Sequence, residues 1–180
     1  MSDPLQGKKL SEILGSLVDR LERSYVPCHT PGFYSILSSG NYRLLHSHSS
    51  SSSSDSENIK EISQNINFAS STAGNLQNVV DWTVGDCHGT LRVNCKFELD
   101  AFSRMEVTLA DHELSLGKGS GKAENFESVV KIIRQGLPGG EVWDPTTILS
   151  AGNEMTFADG EFKVIKLGES NVRHVYVKVG

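Results

Sequence analysis

A low-complexity run from Ser47 to Ser54 most constrains what this chain can fold into. The run contains no apolar side chain, and Asp55, Ser56 and Glu57 follow it. Such a segment cannot bury enough surface to offset the entropy of ordering its backbone. We therefore interpret residues 47–57 as a Ser-rich acidic linker between an N-terminal arm, residues 1–46, and a body, residues 58–180.

The N-terminal arm contains the clearest helical pattern in the chain. Apolar residues recur at three- and four-residue steps from Leu10 to Tyr25, which predicts an amphipathic helix. Pro27 is expected to end this helix. Further along, Phe33–Leu37 and Tyr42–Leu45 are joined by a turn-forming sequence and predict a short hairpin.

The apolar stripe of the N-terminal helix allows two interpretations. It can pack on the protein's own body, which is the commoner arrangement, or it can dock a partner or another copy of the chain. The position of the helix ahead of the linker keeps the second interpretation open. We predict that Leu14, Leu17 and Leu21 mediate association, and we expect a homo-oligomer or a subunit of a complex.

The body combines alternating strands with a second helix. Apolar residues fill every second position of Leu91–Leu99 and again of Met105–Leu109, which is typical of half-buried antiparallel strands. Glu124–Gln135 predicts a helix that Gly136 and Pro138 end.

The end of the chain returns to strands. Asp159-Gly160 between two short apolar segments predicts a hairpin, and Val172–Val179 predicts a last strand. The predicted class is α+β: a mostly antiparallel sheet of about five or six strands with one or two packed helices. The N-terminal amphipathic helix and the Ser-rich linker precede this sheet.

Composition excludes several classes of partner. The chain has 180 residues and a net charge of −5, and no segment is a basic patch of the kind that binds phosphates, so we expect no direct nucleic-acid binding. No apolar run is long enough for a membrane span. The odd number of cysteines, three, indicates a reducing compartment, and we expect a cytoplasmic or nuclear protein.

No metal or cofactor motif has the required spacing. Gly117–Lys122 resembles a phosphate-binding loop, but Leu stands where the motif needs its first glycine. His46 and His48 lack the paired, closely spaced ligands of a structural zinc site. We therefore expect no cofactor and no metal.

Two features allow further chemistry. Cys87 is a candidate nucleophile, although it needs a distant histidine as its base because neighbouring residues of a strand point to opposite faces. Ser52 and Ser54 lie three residues before acidic residues, a spacing that acid-directed kinases recognise. Phosphorylation there would add about −1.5 to −2 charge per site. An unmodified spacer is the alternative.

The preferred function is a non-enzymatic structural or interaction protein. A self-associating viral accessory or matrix-like assembly protein and a cellular adaptor both fit this build. The alternative is a small cysteine-dependent hydrolase that uses Cys87 with a distant His. A third hypothesis is a ligand-binding sheet domain whose pocket lies between helix and sheet.

Overall fold

The computed structural model describes residues 4–26, 30–48, 59–84, 87–100, 105–117, 127, 131, 154–166 and 172–180. These residues include two helices, α1 (Pro4–Ser24) and α2 (Pro31–Ser38). They also include eight strands: β1 (Gly40–His48), β2 (Ile59–Phe68), β3 (Ala73–Val84), β4 (Cys87–Leu99), β5 (Met105–Leu116), β6 (Glu154–Ala158), β7 (Phe162–Lys166) and β8 (Arg173–Val179). No helix in these ranges is long and apolar enough to cross a membrane.

All eight strands form one antiparallel sheet. Their order across it is β5-β4-β3-β2-β1-β8-β7-β6. The predicted α+β class with a mostly antiparallel sheet is confirmed at that level, although the sheet dominates the fold and has more strands than predicted. The hairpin predicted around Asp159-Gly160 joins β6 to β7, and Gly160 has the positive φ of +93° that this turn requires.

The predicted hairpin of the N-terminal arm is not formed. Pro31–Ser38 is helix α2, because Pro31 fixes the φ of its first turn and Thr30 precedes it in an extended conformation. Residues 40–48 are strand β1, which pairs with β2 on one side and β8 on the other. The boundary predicted between arm and body therefore falls within a single sheet.

The strand register divides the side chains between two faces of the sheet, since paired residues point the same way. One face carries the main apolar core. It comprises Ile62, Ile66, Leu76, Val80, Trp82, Leu91, Val93, Cys95, Phe97 and Leu99, on β2, β3 and β4. The same face continues across β1, β8 and β7 with Tyr42, Tyr176 and Ile165.

The sheet is curled so that this face is concave. Lys163 of β7 donates a hydrogen bond from Nζ to Gln64 Oε1 of β2, although the two strands are three places apart in the sheet. In a flat sheet that separation would be about 14 Å, too far for side chains that stand roughly perpendicular to the strands. Met155 of the edge strand β6 also packs against the core of β2–β4. We call this surface the concave face and its opposite the convex face.

Helix α1 packs on the convex face of β6–β8. Its Val18 is buried among Phe157, Val164 and Val175. Glu22 accepts hydrogen bonds from Arg173 Nε at 3.0 and 2.9 Å. Helix α2 instead contacts the concave face, where the buried Tyr34 joins the core.

Candidate binding site

A row of buried polar side chains crosses the otherwise apolar concave face. Asn78, Gln64 and Tyr42 are register partners on the consecutive strands β3, β2 and β1. Lys163 reaches the row from β7. The side chains of Gln64, Asn78 and Lys163 are almost completely buried, with 1–2 % of each residue exposed.

Hydrogen bonds connect this row. The Lys163 Nζ donates to Gln64 Oε1, and Gln64 Nε2 donates to Asn78 Oδ1 at 2.9 Å. The Lys163 Nζ also lies 3.8 Å from the ring centroid of Tyr42 and 5.2 Å from that of Tyr176. The Tyr42 hydroxyl donates to the Leu37 carbonyl of α2 at 2.7 Å. We call Lys163, Gln64, Asn78, Tyr42 and Tyr176 the Lys163 cluster.

The cluster contains no negative charge to balance the lysine. Burial, and then the nearby Lys178, lower the pKa of Lys163 well below its usual range. Burial raises the pKa of both Tyr42 and Tyr176, with Asp159 a second cause for Tyr42, so both phenols stay neutral at physiological pH. Among the described residues, no carboxylate forms an ion pair with Lys163.

The distribution of acidic residues between the two faces is one-sided. In the described strands, register assigns every acidic side chain to the convex face: Glu61, Asp81, Glu98, Glu106, Asp111, Glu113 and Glu154. The concave face carries Lys163 and Lys178, whose Nζ atoms lie 3.8 and 5.8 Å from the Tyr42 ring centroid. Lys163 is buried and Lys178 is exposed, and the described strands place no carboxylate on the face that carries them.

Three buried polar atoms on the concave face lack hydrogen-bond partners within the described part of the chain. They are Asn78 Nδ2, Trp82 Nε1 and His174 Nε2. A buried polar group left unpaired costs about 1–3 kcal/mol, so such atoms are unusual and call for an explanation. Two of the three belong to donor groups, which fits a molecule that supplies oxygen acceptors.

The local structure holds Trp82 and His174 in place. Gly89 is the register partner of Trp82. A Cβ added to Gly89 would lie 2.9 Å from Trp82 Cζ2, so any side chain at position 89 would clash with the indole ring. His174 is completely buried, and its ring is 6.2 Å from that of Tyr176. Burial, followed by the charge of His46, lowers the pKa of His174 to about 4, so it is neutral at physiological pH.

The predicted interaction residues do not all share one environment. Leu17 and Leu21 are 46 % and 38 % exposed, while Leu14 is partly buried beside the face that packs on the sheet. Ile13, 49 % exposed, continues the exposed line one turn earlier. Ile13, Leu17 and Leu21, spaced four residues apart, form an apolar line along α1 that we call the α1 ridge.

The other predicted sites are only partly described. Cys87 begins β4 opposite Val84, but its side chain lies outside the described residues, as do Ser52 and Ser54. Cys95 is buried on the concave face, and burial raises the pKa of its thiol, which makes it a poor nucleophile. The described residues contain no cluster of three or more side chains suited to a metal ion.

Sequence reasoning missed the Lys163 cluster. A lysine between Phe162 and Val164 has the pattern of a solvent-facing strand position. The available signal was the adjacent Val164 and Ile165, because two consecutive apolar residues break the alternation and indicate a strand buried on both faces.

No family model, curated protein or solved structure matches this chain.

Proposed function

We propose that this protein is a non-catalytic binding protein that holds a small organic molecule against the concave face of its sheet. The observation that carries the proposal is Lys163, a buried amine side chain that no carboxylate among the described residues pairs with. The unpartnered atoms of Asn78, Trp82 and His174 on the same face support it. This develops the hypothesis of a ligand-binding sheet domain.

The energetic cost of the cluster supports a functional role. Removing an ammonium group from water costs several kcal/mol unless an opposite charge or good hydrogen bonds replace the water. This cost is large, because the free energy of unfolding of a whole domain is only about 5–15 kcal/mol. Apolar surroundings with a few polar groups are also the usual lining of small-molecule sites, and strongly shifted pKa values concentrate at functional sites.

Fluorescence with the uncharged probe N-phenyl-1-naphthylamine tests this proposal. The probe absorbs where tryptophan emits, so binding against the concave face should produce saturable energy transfer from the buried Trp82. The measurement uses the Trp143→Phe variant, because Trp143 is the second tryptophan of the chain. In this variant, transfer from Trp82 should saturate together with the probe's own emission on direct excitation. Absence of saturable binding contradicts the proposal, and saturable binding without transfer from Trp82 in the Trp143→Phe variant places the probe elsewhere.

A second candidate function is self-association through the α1 ridge, as expected of a structural or interaction protein. The exposed Leu17 and Leu21 support it, because monomeric proteins rarely leave continuous apolar patches uncovered. The occupant we propose is a second copy of this chain, since a ridge of residues at four-residue steps can pack against an identical ridge.

A further inference from the structure

We infer that the molecule bound at the concave face is a monocarboxylate with an apolar tail, and that its carboxylate pairs with Lys163. This inference rests on the proposed function and specifies the chemical class of the ligand. It follows from three independent features of the concave face: its charge, its excess of hydrogen-bond donors and its apolar surroundings.

The charge of the face selects an anion. Lys163 and Lys178 approach the same tyrosine ring, at 3.8 and 5.8 Å from its centroid. In the described strands the acidic side chains all lie on the convex face. A bound carboxylate would neutralise this charge and favour the ammonium form of Lys163, as a nearby opposite charge does.

The groups around Lys163 do not supply that negative charge themselves. Tyr42 on β1 and Tyr176 on β8 are neutral phenols, Gln64 on β2 is an amide, and Lys178 on β8 is a second cation. Asp159, in the turn between β6 and β7, is near enough to raise the pKa of Tyr42. Its Oδ1 accepts hydrogen bonds from the backbone N–H groups of Glu161 and Phe162, and it forms no ion pair with Lys163. Binding of the carboxylate is therefore expected to be accompanied by proton uptake wherever free Lys163 is neutral. An alcohol of the same length would bind without this uptake.

The hydrogen-bonding groups select an acceptor. Lys163 has three donor positions when protonated, and Gln64 Oε1 accepts one of them. A carboxylate offers about four acceptor positions and no donor. A primary amine would instead add donors and a positive charge beside two lysines.

The surroundings select an apolar tail. On either side of Asn78 along β3 lie Leu76 and Val80, and its partner across β4 is Val93. All three are almost fully buried in the main core. Burial of each methylene group is worth about 0.8 kcal/mol, so a tail of several carbons contributes most of the binding free energy, and the carboxylate contributes selectivity.

Calorimetric titration with decanoate, decanol and decylamine at pH 7.4 tests the inference. Decanoate should bind at least about tenfold more tightly than decanol, which corresponds to one charge-assisted hydrogen bond, and decylamine should bind most weakly. In the Lys163→Met variant, the dissociation constants of decanoate and decanol should lie within about threefold of each other. Lys166→Met is the matched control, because Lys166 lies on the same strand but its register partner Arg173 places it on the convex face. This control should keep the wild-type preference.

The outcomes separate the two proposals. If decanol binds the wild-type protein as tightly as decanoate does, the inferred carboxylate selectivity is wrong, whether or not Lys163→Met folds. The proposal that a small molecule binds at the concave face would still stand. An unchanged preference in a folded Lys163→Met variant also overturns it. If N-phenyl-1-naphthylamine and all three ligands fail to bind, the proposed function is wrong as well.

Discussion

Lys163 has an environment that a purely structural residue would not need. Its side chain lies in the interior of the sheet, and its hydrogen-bond acceptor is the neutral Gln64. Its other neighbours include two tyrosine rings and a second lysine, Lys178. A methionine of similar length could fill the same space without desolvating a charge. Lysine at this position therefore reduces the stability of the fold, as residues selected for function often do.

Replacement of Lys163 should accordingly stabilise the protein. We expect Lys163→Met to raise the free energy of unfolding at pH 7 by about 1–3 kcal/mol. The folded state lowers the pKa of Lys163 from 10.5, so in the wild type stability is lost as pH falls below 10.5. The difference in the free energy of unfolding between the variant and the wild type should therefore shrink as pH rises from 7 to about 10.5. Urea unfolding at both pH values measures it, and a variant less stable at pH 7 would contradict this account.

His174 gives a separate pH dependence. Its pKa falls from 6.5 in the unfolded chain to about 4 in the folded protein. The unfolded state therefore binds more protons between these values, and stability falls as pH decreases from about 6.5 to 4, by about 3 kcal/mol in total.

His174→Gln removes this titration while keeping a polar side chain. The variant should lose less stability than the wild type between pH 6.5 and 4, and the two proteins should have parallel profiles above pH 7. Thermal unfolding across this pH range is the measurement. Identical slopes below pH 6.5 would show that His174 does not titrate as its burial requires.

At the scale of secondary-structure elements, α1 shows what a sequence pattern can and cannot supply. Its existence follows from the apolar steps between Leu10 and Tyr25. The residues that attach it to the sheet, Val18 and Glu22, follow only from the fold, because their partners lie more than 130 residues away. Likewise, Pro31–Ser38 is too short for periodicity to distinguish a two-turn helix from a strand.

The α1 ridge provides the test of self-association. We expect the wild-type chain to dimerise and the double variant Leu17→Asp, Leu21→Asp to be monomeric, with its melting temperature nearly unchanged because both side chains are exposed. Size-exclusion chromatography with light scattering measures the mass.

Val18→Asp is the matched control for this experiment. Val18 lies between the same two leucines in sequence but is buried against β6–β8, so an aspartate there should lower the melting temperature by several degrees. If the wild type is already monomeric at high concentration, the ridge is not a self-association surface.

At the scale of the whole molecule, the position of β1 determines how the chain can be divided. The serine run is easily recognised in the sequence and suggests a separable arm, but pairing between distant strands is not visible in composition. Since β1 joins β2 to β8, a chain that begins at Asn58 lacks a strand from the middle of the sheet. Both halves would then expose unpaired backbone groups.

We therefore expect a chain that begins at Asn58 to lack a cooperative thermal transition. A chain that begins at Thr30 retains α2 and all eight strands and loses only the α1 contacts, so it should unfold cooperatively at a lower temperature. Circular dichroism during heating distinguishes the two. A cooperative transition in the chain that begins at Asn58 would show that residues 58–180 fold independently of β1.

We propose that the ligand binds at the concave face rather than at the outer surface. Isotope-filtered NMR with unlabelled decanoate and methyl-labelled protein tests it most directly. We expect intermolecular nuclear Overhauser effects from the decanoate chain to the methyl groups of Val80 and Val93 on the concave face. Contacts confined to Leu17 and Leu21 of the α1 ridge, with none to these two valines, would contradict it.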